Sequence, residues 1–267
     1  MSMNVQHQTG KFLFTPPPRR IVSLVPSITE LLYDLELQEE VAGITKFCVH
    51  PKQWFQTKTR IGGTKSIHPE KIKLLSPDLI FANKEENVKE QVEALAQFCT
   101  VHITDIRTIE DAYDMITKVG ELTGKEDRAN MILKKIKTGF DTIQITDQLR
   151  AIYLIWQKPF MSVGGDTFIS SMMEAAGFIN LLKDKTRYPE LTVDEITELQ
   201  PDVVLLSSEP FPFQQKHIKE LERLTRIRKI VLADGEIFSW YGSRMLYAPR
   251  YFAKLRESLF LSDEAAA

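Results

Sequence analysis

Aromatic residues recur in the polar segments that follow short apolar runs of this chain: Phe47, Trp156, Phe160, Tyr188, Phe211, Phe213, Phe238, Trp240 and Tyr241. Aromatic walls with a few polar groups at their edges suit a large, flat, mostly apolar ligand. Trp156 ends an apolar run, so core packing and ligand contact are both open for it. Trp240 and Tyr241 lie among Gly and Ser residues, a context that favours ligand contact.

Cys48 and His50 lie two positions apart in one of these segments and could supply axial or metal ligands. The pattern is weak, because a free cysteine is usually a small buried side chain. Cys48 and Cys99 are the only cysteines. Two cysteines do not form a disulfide framework, so we expect two free thiols, although one disulfide stays open.

Cations in the same segments could hold an anionic edge of a ligand. Lys65, Lys84, Arg187 and Arg244 are the candidates. Arg244 is the best of them, because a guanidinium pairs bidentately with carboxylate or phosphate. Solvated surface lysines are an equally good interpretation of Lys65 and Lys84.

Motifs for catalysis or phosphate binding do not occur. The Gly pairs at residues 62–63 and 164–165 fit neither G-x-G-x-x-G nor G-x-x-x-x-G-K-[ST]. Ser162 and Ser243 lack a G-x-S-x-G context. A Ser/His/Asp triad stays open but is not indicated, and no His/carboxylate cluster predicts a bare metal site. We expect no enzyme activity and no intrinsic cofactor.

The composition excludes several classes of protein. Of 267 residues, 43% are hydrophobic and 26% charged, and the formal net charge is −2, which disfavours nucleic acid and anionic membranes as partners. No run approaches the ~20 apolar residues of a membrane-spanning helix, so we expect no membrane insertion. The first residues show no secretory leader, so either the chain stays in the cytoplasm or a leader was left out.

The elements that position these side chains alternate between strand and helix. The β-branched run at 20–25 predicts a buried strand, Pro26 and Ser27 interrupt it, and residues 29–37 have helical periodicity. A helix from residue 69, a strand at 79–82, a helix at 85–98 and a strand at 101–103 follow.

This arrangement recurs later in the chain. The pattern E-x-I-x-x-L-x-P-D at residues 70–78 matches D-x-I-x-x-L-x-P-D at 194–202, and each copy runs into an apolar strand. A helix at 216–224 and a strand at 230–233 complete the second copy. Residues 160–166, leading into a helix at 168–176, are predicted to repeat the opening strand–turn–helix. The chain is therefore predicted to contain two similar α/β lobes.

Residues 109–146 are dense in helix-forming residues, and Gly124 is predicted to separate two helices. We predict an N-terminal arm at 1–18, loose or at a sheet edge, an N-terminal lobe at 19–124, a long bridging helix at 125–147 and a C-terminal lobe at 148–267. A single helical connection predicts stiff lobes that close on a ligand by only a few degrees.

The sequence RIVSLVPSITE at residues 20–30, the tandem Pro-Asp segments and the helical bridge together resemble the cobalamin- and siderophore-binding proteins of ABC importers. The resemblance covers residues 20 to about 260. It is greatest to the cobalamin-binding branch, through the Gly-Ile-Thr at 43–45, Pro51 and SWYGSR at 239–244. The resemblance implies an α/β fold with two lobes, one backbone helix and a ligand cleft between the lobes.

The resemblance also implies roles for particular residues. The family's pocket aromatics fall on Phe47, Phe160 and Tyr188, with Trp240 and Tyr241 near another ligand-facing segment. A family tryptophan is replaced by Thr64, next to Lys65, which puts the identity of the ligand in doubt.

One acid in each lobe is implied to dock onto permease arginines, and these positions fall on Glu70 and Asp194. Capping alone also explains an acid in a first helical turn, and Thr192 with Glu195 matches a capping box.

The predicted function is thus a solute-binding protein that delivers a cobalamin-like metal chelate to an ABC permease and its ATPase. We expect a monomer at the periplasmic or cell-surface side, with the cytoplasm left open by the absence of a visible leader. A ferric-siderophore or haem receptor is the first alternative. A cytoplasmic α/β enzyme acting on a tetrapyrrole or nucleotide is the second.

Overall fold

A computed structural model describes the backbone of residues 5–7 and 16–264 and the side chains of residues 16–260. The chain divides into two compact units. Unit 1 consists of Met1–Ile106, Glu110–Ile136 and Tyr241–Arg244, and unit 2 consists of Arg107–Ile109, Lys137–Trp240 and Met245–Ala267. The short segment Tyr241–Arg244 thus belongs to unit 1, although its neighbours on both sides in the chain belong to unit 2.

Unit 1 is built on a parallel sheet whose strands have the spatial order β1-β6-β5-β2-β3-β4. The strands are β1 (Val5–His7), β2 (Ile21–Ser23), β3 (Val41–Ile44), β4 (Thr59–Arg60), β5 (Leu79–Asn83) and β6 (Thr100–Thr104). The helices of this part of the chain are α1 (Pro26–Asp34), α2 (Lys52–Thr57), α3 (Pro69–Leu74), α4 (Lys89–Leu95), α5 (Ile109–Thr123) and α6 (Glu126–Asp141).

Unit 2 contains a smaller parallel sheet with the spatial order β12-β11-β7-β9 and an antiparallel ribbon of β8 and β10. The strands are β7 (Leu149–Leu154), β8 (Phe160–Met161), β9 (Phe178–Asn180), β10 (Glu190–Leu191), β11 (Val203–Ser207) and β12 (Ile230–Ala233). The helices are α7 (Phe168–Ala175), α8 (Val193–Glu198), α9 (Gln215–Thr225), α10 (Gly235–Ser239) and α11 (Ala248–Glu264). A 3₁₀ turn at Ser243–Leu246 crosses the boundary from unit 1 to unit 2.

Strands β5 and β11 lie at equivalent places in the two sheets. Every residue of both strands is buried, because a central parallel strand is covered on both faces and is apolar throughout its length. Strand β5 pairs with β2, and β11 pairs with β7. We call β2 and β7 the opening strands, because each begins the repeated strand–helix pattern of its unit. The predicted α/β class with two similar halves is confirmed, and the two main sheets are parallel.

The repeated Pro-Asp pattern has the same structural role in both units. The carboxylate of Asp78 accepts the backbone N–H groups of Arg19 and Arg20, at 2.7 and 3.1 Å, and the carboxylate of Asp202 accepts that of Arg150 at 2.7 Å. The Arg20 and Arg150 side chains donate in return to the carbonyls of Leu75 and Leu199. The pattern therefore ties the amino end of each opening strand to the turn before β5 or β11.

One predicted correspondence is wrong. Residues 160–166 do not form the strand that opens the second sheet, because β8 pairs with β10 in a separate ribbon. The opening strand is β7, and residues 155–167 are inserted between it and α7.

Other boundaries differ from the predicted ones. Helix α4 begins at Lys89 rather than at residue 85, since residues 84–88 form a turn held by Asn83 and Asn87. Helix α6 ends at Asp141, short of the predicted end at 147, and the boundary between the units falls within it.

Gly124 separates α5 from α6 as predicted. Its φ is +66°, a left-handed conformation that glycine adopts without steric cost. Within the predicted N-terminal arm, Val5–His7 forms the edge strand β1, which pairs with β6, whereas residues 1–4 and 8–15 lie outside the described part of the chain.

Candidate functional site

Both sheets reverse their strand order beside the opening strand. The chain passes from β2 to β3 on one side and returns to β5 on the other, and it passes likewise from β7 to β9 and back to β11. Open parallel α/β sheets bind ligands at the carboxyl ends of the strands beside such a reversal. Each unit therefore has its own carboxyl edge as a candidate ligand surface.

In unit 1 the exposed aromatic side chain at this edge is Phe47, in the loop after β3. Its exposed fraction is 50%. The ring lies against Gly63, where a Cβ atom would approach it to 3.1 Å, and the ammonium of Lys46 lies 5.1 Å from the ring centre. The structure thus brings the predicted residue Phe47 next to the loop that contains Thr64 and Lys65.

Cys48 follows Phe47 but points the other way. The thiol is fully buried and lies 3.1 Å from the hydroxyl oxygens of both Thr29 and Thr45. Burial raises the pKa of the Cys48 thiol to about 11, so it stays protonated at neutral pH. Cys48 is 0% exposed, so its thiol presents no surface to a ligand at this edge. Cys99 is also buried and free.

Two asparagines organise the loop after β5. The Asn83 side-chain oxygen accepts the N–H groups of Glu85 and Glu86, at 2.8 and 3.2 Å, and the Asn87 side-chain oxygen accepts that of Asn83 at 2.8 Å. The Asn87 amide donates to the Thr64 carbonyl at 3.1 Å. These bonds fix the loop after β5 to the loop that contains Thr64.

Tyr241 is held against the same loop of unit 1. Its hydroxyl donates to Glu86 Oε1 at 3.1 Å, and only 5% of the residue is exposed. Burial, together with the Glu86 charge, raises the pKa of Tyr241 well above its usual range. Tyr241 therefore contributes a neutral, buried hydroxyl rather than an open aromatic face.

Arg244 forms a largely buried ion pair with Glu30 of α1. Its Nε and Nη2 atoms donate to the two carboxylate oxygens at 2.9 and 2.8 Å, and both side chains are 13% exposed. Burial raises the pKa of Glu30, whereas Arg244 and the nearby His50 lower it. The guanidinium predicted to hold a ligand's anionic edge therefore already has a carboxylate partner.

The other predicted cations also have partners. Lys65 donates through Nζ to the Glu85 carbonyl, and Lys84 pairs with Asp105 at 2.9 Å. Arg187 lies 3.8 Å from Asp166 and above the ring of Tyr188.

In unit 2 the exposed aromatic side chain is Trp156, at the start of the insertion between β7 and α7. Its exposed fraction is 40%, and its ring meets that of Phe211 edge to face at 5.7 Å. Phe211 in turn packs on Phe213 and on the apolar core of the unit. Trp156 thus packs on an aromatic cluster that joins the core of the unit, and it remains partly exposed.

Phe160 and Tyr188 belong to the ribbon region of unit 2. Phe160 lies in β8 opposite Leu191 of β10, is half-buried and packs against the core. Tyr188 is also half-buried and lies two residues before β10 begins. The structure therefore places Trp156, Phe160 and Tyr188 on or beside the same insertion and ribbon.

Glu209, in the loop after β11, holds Trp240. Its Oε1 accepts the indole N–H of Trp240 at 2.9 Å and the Ser239 hydroxyl at 2.8 Å. Burial raises the pKa of Glu209, and the charges of Glu236 and Asp234 raise it further. Trp240 is only 8% exposed, so it offers far less surface to a ligand than Trp156 does.

Glu70 and Asp194 are exposed, each in the first turn of the helix that precedes β5 or β11. In unit 2 the capping box is formed by Thr192 and Glu195, as predicted, with both reciprocal bonds present. Asp194 is not the capping residue.

Glu30, Glu86 and Glu209 are not among the residues predicted from sequence. Glu86 and Glu209 follow the ends of β5 and β11 by three and two residues, which is their only signal in the sequence, whereas Glu30 of α1 has no such signal. The described residues contain no group of three or more His, Cys, Asp or Glu side chains able to hold a metal ion. No helix in the described part of the chain has the length and apolar character needed to cross a membrane.

Two α/β units, each built on a parallel sheet with an exposed aromatic side chain at its carboxyl edge, place the chain in the class of two-unit α/β proteins. The chain belongs to the periplasmic binding protein family, whose model matches residues 21–229. The family assignment rests on the sequence match, because similarity to solved structures at low sequence identity establishes only the fold.

Individual relatives agree with this assignment. The chain is 29% identical over 201 residues to the uncharacterized ABC transporter substrate-binding lipoprotein YvrC of Bacillus subtilis, with 70% of this chain and 63% of YvrC covered. It therefore matches less than two thirds of YvrC. It is 26% identical over 202 residues to the vitamin B12-binding protein of Vibrio campbellii, with 72% and 71% covered.

The heme-binding protein RhuT from Roseiflexus sp. RS-1 has the same fold, with a TM-score of 0.77 at 21% identity and 91% of this chain and 98% of RhuT covered. These relatives are binding proteins rather than enzymes, as predicted for this chain.

Proposed function

We propose that the chain is the substrate-binding component of an ABC transporter and that it binds a bulky metal chelate, a cobalamin-like corrinoid. The observation that carries the proposal is the pair of exposed aromatic side chains, Phe47 in unit 1 and Trp156 in unit 2, at the carboxyl edges of sheets of this family. Planar aromatic faces bury the apolar surface of a macrocycle with little loss of side-chain entropy.

The corrinoid is preferred over a haem or ferric siderophore for two reasons. Vitamin B12-binding proteins are among the relatives in sequence, and the cations predicted to meet an anionic ligand already have partners, above all Arg244 with Glu30. A haem receptor is the second candidate, supported by the similarity in fold to a heme-binding protein.

An ABC permease is the proposed partner, with Glu70 and Asp194 as the docking acids. Both side chains are exposed and lie at equivalent positions of the two units. Charge-assisted bonds from arginine to carboxylate are among the stronger hydrogen bonds. The place of action proposed with this partner is the outer side of the cytoplasmic membrane.

The test is a titration of the purified chain with vitamin B12, haem and a ferric hydroxamate, followed by tryptophan fluorescence. Trp156 should report binding, because it is exposed, whereas Trp54 is 1% exposed and should not respond. We expect saturable quenching by vitamin B12 that Trp156→Phe largely removes. Equal or tighter binding of haem would favour the second candidate, and no binding of any of the three would contradict the proposal.

A matched pair of variants separates ligand contact from a general surface effect. Phe47→Ala should weaken vitamin B12 binding by about tenfold, the usual scale for one well-packed aromatic contact. Phe98→Ala removes a 39% exposed phenylalanine before β6, at the opposite edge of the same sheet, and should leave affinity unchanged.

A further inference from the structure

The loop after β11 connects the Trp240 indole to the centre of the unit 2 sheet. The indole donates to Glu209, the Glu209 backbone N–H donates to Ser207 Oγ at 3.4 Å, and the Tyr153 hydroxyl donates to the same Ser207 oxygen at 3.1 Å. Tyr153 is fully buried in β7. Glu209 and Ser207 therefore connect the Trp240 indole to the buried sheet, and these bonds hold the indole in place.

The ionisable groups around the Glu209 carboxylate are negatively charged. Asp234 and Glu236 lie close enough to Glu209 to raise the pKa of its carboxyl. Asp234 also accepts the backbone N–H of Ile237 at 3.3 Å. A further carboxylate brought to this position would be repelled by like charges at reduced screening.

We propose that Glu209 positions the Trp240 indole and, through its charge, selects ligands whose edge toward unit 2 carries uncharged hydrogen-bond donors rather than carboxylates. The inference rests on the proposed function, because it assumes that the chain binds a metal chelate. A carboxylate has room for about four accepted hydrogen bonds, and two of those on Glu209 come from Ser239 and Trp240.

The chemistry of the two candidate ligands makes the selection measurable. A corrin ring carries carboxamide side chains, which donate hydrogen bonds without charge, whereas haem carries two propionate carboxylates. A carboxamide satisfies an acceptor such as Glu209, but a propionate brings a second acceptor and a second negative charge. The ratio of the haem Kd to the vitamin B12 Kd therefore reports the selection.

Three substitutions separate position from charge. Glu209→Ala removes both the acceptor and the charge, and Glu209→Gln removes the charge but keeps an acceptor oxygen. Glu236→Gln removes a neighbouring charge and keeps the backbone carbonyl that accepts the Trp240 N–H. If Glu209→Ala fails to fold, Glu209→Gln still tests the selection.

The positioning role is measured without ligand, by ¹⁹F NMR of protein labelled with 5-fluorotryptophan. The chain has three tryptophans, and each resonance is assigned by substitution with phenylalanine. Glu209→Ala should shift or broaden the Trp240 resonance and leave that of Trp54 in place, while Glu209→Gln should change it less. An unchanged Trp240 resonance in Glu209→Ala would overturn the positioning role.

The selection is measured by titrating each variant with vitamin B12 and with haem. The wild type should prefer vitamin B12 by at least about tenfold, Glu209→Gln should reduce that preference by about tenfold, and Glu236→Gln by less than about threefold. An unchanged ratio in Glu209→Gln, or a wild type that prefers haem, overturns the selection. Binding of neither ligand contradicts both the proposed function and the selection, and the NMR result still decides the positioning role.

Discussion

The opening strand of unit 1 runs into its helix with only Leu24 and Val25 between them, whereas residues 155–167 separate the opening strand of unit 2 from α7. Leu24 and Val25 are fully buried, but the insertion in unit 2 presents Trp156 at 40% exposure. In unit 1 the exposed aromatic side chain lies instead after the next strand, at Phe47. The two units thus reach the same kind of aromatic edge from different loops, which shows that the repeat preserves the sheet and leaves the loops free to diverge.

The amino edges of the two sheets, in contrast, have remained the same. Asp78 and Asp202 make the same contacts to the opening strands, and Ser76 and Gln200 both adopt positive φ values, 45° and 46°. A left-handed residue before the Pro-Asp pair sets the sharp turn from helix to strand in each unit. We infer that structural constraint acts on the amino edges and functional divergence on the carboxyl edges.

The largest predicted effect tests whether the two units act together in docking. Reversing both charges, Glu70→Arg with Asp194→Arg, should abolish association with the permease in a pull-down, because like charges would then face each other at the interface. Each single reversal should weaken association partially, and vitamin B12 affinity should not change.

The matched control for this double variant is Glu198→Arg, an exposed acid in the last turn of α8. It should not affect association. Normal association of the double variant, with only a lower melting temperature, would leave Glu70 and Asp194 as helix-terminus residues.

The second prediction contrasts the exposed with the buried tryptophan of unit 2. Trp156→Ala should weaken vitamin B12 binding by about tenfold or more with little loss of stability. Trp240→Ala should instead lower the free energy of unfolding by about 3 kcal/mol, because it empties a buried site and leaves Glu209 without the indole N–H. Urea unfolding and titration of both variants check this difference, and equal stability of the two would contradict it.

The third prediction concerns the ion pair of unit 1. Arg244→Met should destabilise the chain by about 3 kcal/mol, since it leaves the buried Glu30 carboxylate without its partner. Adding Glu30→Leu should recover most of that loss, because a buried pair replaced by apolar side chains of similar size is often neutral. Failure of the double variant to recover stability in urea unfolding would show that the pair holds the segment by more than charge compensation.

The amino edges were predictable from sequence because their pattern is local. A Pro-Asp pair after a helical turn and before an apolar run specifies turn, strand and register within a few residues, and β5, β11 and β12 lie within one residue of the predicted positions. The position of β7 was missed as the opening strand, because residues 160–166 have a similar strand–turn–helix pattern and sequence does not show which strand pairs with β11.

The candidate site was less predictable, since exposure depends on contacts distant in sequence. Trp240 and Tyr241 have the polar Gly-Ser neighbours of a ligand loop, yet acids 31 and 155 positions away hold both residues in buried places. Arg244 was predicted to hold an anionic edge of a ligand, and its partner Glu30, 214 positions away, could not be recognised from sequence. Phe47 was predicted as a pocket aromatic. Its side chain is exposed, which agrees with ligand contact, and the contact itself stays a prediction.

The smallest predicted effect is the pH dependence of the free energy of unfolding that comes from Glu209, at the carboxyl edge of unit 2. The pKa of Glu209 is raised above its usual value of 4.5, so the folded chain retains this proton over a range where the unfolded chain loses it. Its contribution to stability is complete below about pH 4.5 and is lost as the pH rises through the raised pKa. The free energy of unfolding of Glu209→Gln should therefore fall less steeply with rising pH than that of the wild type. Identical slopes would contradict the raised pKa.

The central claim, that the carboxyl edges of both units hold the ligand, is tested most directly by hydrogen–deuterium exchange of the wild-type chain with and without vitamin B12. Exchange should slow at residues 45–51 of unit 1 and at 155–165 of unit 2, because ligand contact reduces local opening of these loops. The turns at 75–78 and 199–202, at the amino edges, should exchange at the same rate in both states. Protection at the amino edges, or in only one unit, would contradict the account.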